Sequence, residues 1–279
     1  MRRFFLLAIV LGAASGAQAA DMPDFLRGSL LPSPAPGVNW QGFYVGGQAG
    51  YGSSDENFNG STNNMIAALV ANNVIQQTGV ANWNLNLGKE SSRTTGFGGF
   101  TGYNWQWDDV VLGLEASYLH GSFGGMASAS EGPLIFGPLS DNAYHAVGAT
   151  STSAINITDM ATFRGRAAYA YGSFLPYMFG GLALGNANIS QSATVTDRYA
   201  FTFAGAQSSC STAGTYCPAP LTSTNALHNH LVYGYTGGLG VDVNLIGGLF
   251  MRAEWEYVRF AASTDTSINT VRAGLGYKF

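Results

Sequence analysis

From about residue 40 onward, apolar and polar side chains alternate along the chain with a period of two. The pattern is clearest in the last segment, whose apolar face consists of Val271, Ala273, Leu275, Tyr277 and Phe279. Alternation of this kind predicts a β-strand whose two faces meet different surroundings. In order, the segments that show it lie near residues 40–52, 94–105, 110–118, 162–171, 174–187, 230–242, 249–257 and 270–279. Frequent glycine leaves the facing of the second and fifth segments open.

The connections between these segments alternate in length. Residues 53–92, 122–155 and 188–227 form long connections, whereas the short ones lie near 106–109, 172–173 and 244–248. The last connection, near 262–267, is short but falls on the side of the long ones. Outer-membrane barrels combine short periplasmic turns with longer external loops. Closing the sheet also pairs every backbone group that would otherwise face lipid. The predicted fold is an all-β, eight-stranded antiparallel up-and-down transmembrane β-barrel.

Composition separates a membrane barrel from a soluble sandwich, which would show the same alternation. Only 10% of the residues are charged, against roughly 25% in ordinary soluble domains. The chain also has 38 glycines, and 13% of its residues are aromatic. Aromatic residues lie near strand ends and predict girdles at the two membrane interfaces, as at Trp105, Tyr171, Tyr257 and Phe279.

The N-terminal segment predicts export. Arg2 and Arg3 precede an apolar run at 4–14, and Ala17-Gln18-Ala19 has the small-x-small pattern of a signal-peptidase site. We predict a signal peptide at 1–19, a Pro-rich periplasmic linker at 20–39 and the barrel at 40–279. Without the signal peptide the chain has 10 basic and 16 acidic residues, which argues against nucleic acid as a partner.

Charged residues on the non-apolar faces predict an ion-pair network in the barrel lumen. An eight-stranded barrel has an interior that side chains just fill, so opposite charges inside it are expected to pair. A selective ion path is the alternative interpretation, whereas a continuous wide pore is excluded. The residues of the predicted network are Glu115, Arg164, Arg166, Arg252, Glu254, Glu256 and Arg272.

Two cysteines and four histidines are further candidates. Cys210 and Cys217 predict a small loop disulfide in an exported protein, worth about 2–3 kcal/mol by chain entropy. His228 and His230, two residues apart on a strand, are either a metal or haem-iron site or a solvated pair. The other two, His120 and His145, belong to the second long connection. We predict no metal site, no cofactor and no catalytic residue, since no nucleophile motif such as G-x-S-x-G is present.

The first long connection contains an apolar cluster with helical spacing, at positions 66, 69, 70 and 74. Two interpretations follow. The cluster is either a short helix resting against the barrel mouth or a patch that engages an external partner.

Several motifs resemble the porin-family outer-membrane proteins with an OmpA-like eight-stranded β-barrel. They are Trp40–Gly47 (WQGFYVGG), Gly102–Gln106 (GYNWQ), Val111–Ala116 (VLGLEA), Arg164–Arg166 (RGR) and Val271–Phe279 (VRAGLGYKF). The resemblance covers the framework of residues 21–279 but not the long connections. It implies a Gram-negative outer-membrane location and an envelope or surface-antigen role. Some relatives are linked to haemin binding, but no matching motif carries that property to this chain.

The last strand also resembles the terminal signal that the outer-membrane assembly machinery reads, with Tyr277 and Phe279 as its aromatic positions. The expected partners are therefore outer-membrane lipid, the assembly machinery and an external surface partner. Three functions remain open at this point: a non-enzymatic structural and surface-interaction protein, a small-pore or ligand-binding channel, and a lipid-modifying enzyme of the same membrane.

Overall fold

A computed structural model describes residues 38–83, 85–261 and 265–279. The predicted signal peptide lies outside these ranges, as does the predicted linker except for its last two residues.

The described residues form nine β-strands and two short α-helices. The strands are β1 Gly42–Asn57, β2 Lys89–Trp107, β3 Val110–Phe136, β4 Tyr144–Tyr169, β5 Phe174–Ala200, β6 Thr215–Tyr216, β7 Leu221–Ile246, β8 Leu249–Phe260 and β9 Asp265–Lys278. The helices are α1 Asn63–Val70 and α2 Phe203–Gln207, and 3-10 helices occupy Val74–Thr78 and Val80–Asn82. Within the described ranges, no helix combines the length and the apolar character needed to cross a bilayer.

Eight of the strands close into a ring, in which β7 follows β5 directly. Each pairs antiparallel with its neighbours, and β1 pairs with both β2 and β9. Val45, for example, lies opposite Thr101 on one side and Tyr277 on the other. The two-residue β6 pairs only with the end of β5. The predicted eight-stranded antiparallel barrel is confirmed.

The two faces of the ring have the predicted chemistry. Large apolar side chains such as Phe163 and Val271 are 56% and 62% exposed on the outside, whereas Arg164 and Arg272 are buried inside. The structure also shows which side chains of the second and fifth predicted segments point into the lumen, a question that their many glycines left open. In β2, Phe97 faces outward and Phe100 inward, and in β5 the aromatic rings of Tyr177 and Phe179 enter the lumen, as their burial shows.

Two of the predicted long connections are in fact mostly strand. β3 extends to Phe136 and β4 already begins at Tyr144, so the link between them is only 137–143. The link after β5 is 201–220. Above Gly121 and Gly234 these strands no longer pair with β2 or β8. The result is a four-stranded extension on one side of the barrel, here called the tall wall. It consists of residues 122–136, 144–158, 186–200 and 221–233.

The first long connection, described at residues 58–83 and 85–88 and called the 58–88 connection below, covers the inner face of the tall wall. Ile66 and Val70 of α1 are buried, as are Ile75 and Val80 of the 3-10 helices. They join one apolar cluster with Leu119 of the barrel and the wall residues Phe123, Val147, Ile155, Ile157, Ile189 and Val195. Each such side chain contributes about 1.5–3 kcal/mol on burial. The predicted helix is present, and its apolar face points into the protein.

Deleting Phe279 tests the predicted assembly role of the last strand. The backbone N–H of Phe279 donates to the carbonyl of Phe43 at 2.9 Å, and the two rings are 6.0 Å apart, but the side chain is 69% exposed. Little burial is lost, so a purely structural role predicts a small effect. We expect the amount of surface-exposed folded protein to fall several-fold, measured by heat-modifiable migration in gels.

The matched control is Phe174→Ala, which removes a ring of 51% exposure beside a short periplasmic turn. Equal surface yields of the deletion and this control would contradict the prediction.

Candidate functional site

The predicted lumen charges all lie on inward positions of neighbouring strands. β3 supplies Glu115, β4 supplies Arg164 and Arg166, and β8 and β9 supply Arg252, Glu254, Glu256 and Arg272. Small residues make room for them. A Cβ on Gly113 would clash with Asn104 Oδ1 and lie 3.0 Å from Arg166 Cγ. Gly113 therefore leaves room for the Asn104 amide and the Arg166 side chain.

Glu115 lies at the centre of this group. Its Oε1 accepts from Arg164 Nε at 2.9 Å. Its Oε2 accepts from Arg252 Nη1 at 2.8 Å and from Arg166 Nη1 at 3.2 Å. The hydroxyl of Tyr44 donates to the same oxygen at 2.7 Å. One buried carboxylate thus neutralises parts of three guanidinium groups.

Glu254 and Glu256 continue the network toward the extracellular end of the lumen. Arg164 binds both oxygens of Glu254, at 2.7 and 2.8 Å, and contacts Glu256 at 3.2 Å. Arg272 forms an ion pair with Glu256, which also accepts from the Thr236 hydroxyl at 2.6 Å. The geometry is that of a continuous, mutually neutralising cluster.

Asp242 of β7 completes the cluster, although it is not among the predicted residues of the network. Its Oδ2 accepts from Arg166 at 2.7 Å, and its Oδ1 accepts from Arg252 Nε at 2.8 Å. The available signal was its inward position in the alternation of the sixth predicted segment. With Asp242, four arginines face four carboxylates, so the cluster is formally neutral. We call these eight residues the charged layer.

Aromatic rings pack against the guanidinium groups from below. Arg166 lies 3.9 Å from the ring centre of Tyr177, Arg252 3.9 Å from that of Phe100, and Arg164 4.1 Å from that of Phe179. Desolvated contacts of this kind add about 2 kcal/mol or more. These rings belong to a buried cluster toward the periplasmic end, the aromatic layer, which consists of Trp40, Tyr44, Phe100, Val111, Ala168, Leu175, Tyr177, Phe179 and Phe250. The lumen is therefore filled at three heights, by the aromatic layer, the charged layer and the apolar cluster under the tall wall.

The predicted cysteine pair lies at the tip of the tall wall. Cys210 and Cys217 form a disulfide within the 201–220 link, with their Cα atoms 5.8 Å apart. Tyr277 and Phe279 lie on the lipid-facing side, with ring centres 5.1 Å apart.

The histidines fall into three different surroundings. His228 and His230 are exposed on either side of Asn229, whose φ of 53° marks a β-bulge that interrupts the alternation assumed for the pair. His120 contacts Asp159 at 2.8 Å near the upper membrane interface. Among the described residues, no group of three or more His, Cys, Asp or Glu side chains is arranged to hold a metal ion.

His145 is buried between two carboxylates. Its Nδ1 lies 3.0 Å from Asp197 and its Nε2 lies 2.9 Å from Asp141. Partial burial raises the pKa of the Asp197 carboxyl, and the hydrogen bond with His145 acts in the opposite direction. Both ring nitrogens are occupied, so this histidine links the 137–143 turn to β5.

A closed antiparallel ring with a lipid-facing apolar surface and a filled, charge-paired lumen defines an outer-membrane β-barrel. Residues 5–279 match the family model described as the outer membrane protein beta-barrel domain, and the chain belongs to this family. The protein is located in the outer membrane of a Gram-negative bacterium and is surrounded there by lipid.

Individual proteins similar to this chain carry related descriptions. A 22 kDa outer membrane protein of Rhizobium leguminosarum bv. viciae is 28% identical over 246 residues, which cover 88% of this chain and 80% of the relative. The structure of Ail from Yersinia pestis is 12% identical, with coverage of 86% and 99% and a TM-score of 0.35. Neisserial surface protein A is also 12% identical, with coverage of 85% and 97% and a TM-score of 0.37.

Replacing Glu115 by Gln tests the energetic weight of the charged layer. The substitution keeps the side-chain shape but removes the charge that faces three arginines. A buried charge that loses its partner destabilises a protein by about 3–5 kcal/mol. We expect a clear drop in the urea concentration at the midpoint of unfolding. The measurement uses the barrel refolded in lipid vesicles, with tryptophan fluorescence as the signal.

Asp265→Asn provides the control, because it breaks an exposed ion pair. Asp265 contacts Arg259 at 2.7 Å, and these side chains are 50% and 47% exposed. Water screens such a pair, so the midpoint is expected to stay close to that of the unaltered protein. A similar drop in both variants would show that lumen burial adds nothing to the pairing.

Proposed function

We propose that this protein is a non-enzymatic outer-membrane barrel with an envelope-structural and surface-interaction role, and that its lumen is closed to ions. The observation that carries the proposal is the charged layer. Each arginine of the layer contacts at least one carboxylate of the layer. Charges that neutralise one another leave none free to attract a passing ion.

The layers on either side support a closed lumen. The aromatic layer fills the periplasmic end, and the 58–88 connection fills the mouth with apolar side chains. An ion entering from either end would have to give up its hydration water next to apolar side chains, which offer no polar groups to replace it. This is strongly unfavourable.

The competing function is a small pore whose selectivity the lumen charges set. In planar bilayers with concentrated potassium chloride, we expect the folded protein to give no steady conductance, because the three layers block the lumen. Heat-modifiable migration of the same preparation serves as the folding control. A steady conductance whose ion preference changes in an Arg252→Gln, Glu254→Gln variant would instead establish the pore.

The tip of the tall wall supports the surface-interaction part of the proposal. Phe201, Phe203 and Tyr216 are 62%, 51% and 49% exposed around the 201–220 link. The rings of Tyr199 and Tyr216 stack at 5.1 Å, and Phe203 meets Tyr144 at 5.8 Å, so the group is held in place. Rigid exposed aromatic residues are typical of the central residues of protein interfaces.

Replacing these three aromatic residues by serine tests the role of the tip. Removing the apolar contact area is expected to reduce the retention of intact cells on protein-coated plates several-fold. Surface levels of the protein should not change, because the side chains lie outside the barrel. The matched control is Ser209→Ala, Ser211→Ala in the same exposed link. Unchanged retention of the serine variant would contradict the proposed role of the tip.

A further inference from the structure

The outward face of the tall wall carries two complete rows of hydroxyl side chains. Strand register places one residue of each row on β3, β4, β5 and β7, directly opposite its neighbours. The rows are Ser128, Thr152, Ser192, Thr224 and Ser130, Thr150, Thr194, Thr222. We call these eight residues the hydroxyl panel.

The panel faces away from the protein interior. Its members are exposed or half-buried, whereas the residues between them are buried on β4 and β5, at Ser151 and Ala193, and half-buried on β3 and β7, at Ala129 and Ser223. Ala149 and Ser151 alternate with Thr150 and Thr152, and both are turned inward with at most 2% exposure. The hydroxyls are therefore not part of the core under the wall.

Hydroxyl groups without charge distinguish this face from an ordinary solvated sheet. Exposed sheet faces usually carry lysine, arginine and carboxylates, which make up roughly a quarter of soluble domains. All eight panel positions carry a neutral hydroxyl instead. Thr152 bonds Ser128 at 3.2 Å, and Thr194 lies 3.1 Å from Thr222. Each hydroxyl has one donor and two acceptor sites, so these bonds leave most of the capacity for a ligand.

The height of the panel above the lipid indicates what meets it. On β4 the lipid-facing side chains end near Phe163, and Asp159 with His120 marks the upper interface. Thr152 and Thr150 lie seven and nine residues further along the strand. At about 3.3 Å per residue and a tilt of about 40°, they stand roughly 20 Å above that interface. The outer leaflet of a Gram-negative outer membrane is glycolipid, and its oligosaccharide headgroups fill this height.

We propose that the hydroxyl panel binds the neutral sugars in the core oligosaccharide of lipopolysaccharide molecules that stand beside the barrel. The panel continues the lipid-facing surface of the same four strands upward, so one molecule contacts the barrel with its acyl chains and the wall with its sugars. Sugar hydroxyls both donate and accept hydrogen bonds, as the panel hydroxyls do. Phosphate groups are bound by arginine and lysine, which are absent from the eight panel positions.

This inference rests on the outer-membrane location and is independent of the closed lumen. The test uses the full chain in lipid nanodiscs made with lipopolysaccharide of complete core or with lipopolysaccharide truncated to its innermost sugars. Native mass spectrometry after a detergent wash counts the molecules retained by each barrel. We expect several-fold more complete-core molecules than truncated ones.

The panel variant is Thr150→Val, Thr152→Val, Thr194→Val, Thr222→Val, which keeps the β-branched shapes and removes four hydroxyls. It is expected to lose the preference for complete cores. Ser128→Ala, Ser130→Ala is a milder variant on the outermost strand of the wall and should lose part of it. The matched control, Ser91→Ala, Thr95→Val, removes exposed hydroxyls from β2, outside the tall wall, and should keep the full preference. Heat-modifiable migration checks that every variant is folded.

Four outcomes would overturn the proposal. The unaltered protein could retain both forms equally, or the panel variants could keep the preference. A pair of barrels that dissociates in the panel variant would show that a second copy occupies this face. Displacement of the retained molecules by low concentrations of soluble core oligosaccharide would assign the panel to free glycans rather than to membrane headgroups.

Discussion

Charge neutralisation inside a narrow barrel is the constraint on which the rest of the structure depends. Four arginines and four carboxylates share a lumen that side chains fill. In that setting an unpaired charge is far more costly than at a surface. Glu115 contacts Arg252 across 137 residues of sequence, so the cluster ties together strands that are distant along the chain. Strand register, inner glycines and lumen aromatics all serve this arrangement.

The upper half of the molecule follows from a second requirement, which is to cover the inner face of the tall wall. Four strands that leave the ring expose one apolar face, and such a sheet needs a partner layer. The 58–88 connection supplies it, with Phe58, Ile75 and Val80 fully buried. The wall and the connection stabilise each other, because neither buries its apolar side chains alone.

The sequence predicted the lower half of the fold well, because lipid and lumen impose opposite chemistries on neighbouring residues. Val271 and Arg272 could be assigned to opposite faces from the pattern alone. The inward position of Asp242 in the sixth segment is visible in the sequence. Its contacts with Arg166 and Arg252 follow only from the closed sheet, which brings β7 close to β4 and β8 in the lumen.

The tall wall could not be predicted for a related reason. Residues 186–196 do alternate, with asparagine, serine and threonine against alanine, isoleucine and valine apart from Gln191, but their outer face is polar, unlike that of the lipid-facing segments. Residues 144–153 show no such alternation. The inner face of these strands is defined by the 58–88 connection, which is remote in sequence. Local pattern therefore indicated loops where tertiary packing continues the strands. The bulge at Asn229, which separates His228 from His230, depends in the same way on the neighbouring strand.

The one-sided position of the tall wall gives the protein a front and a back within the membrane plane. A symmetric barrel looks the same to neighbours from every direction, but this one presents a high profile along β3, β4, β5 and β7 and a low one along β1, β2, β8 and β9. Its rotation about the membrane normal therefore changes what adjacent molecules encounter. In a crowded outer leaflet, packing around such a molecule is directional, and the seam between β1 and β9 lies on the low side.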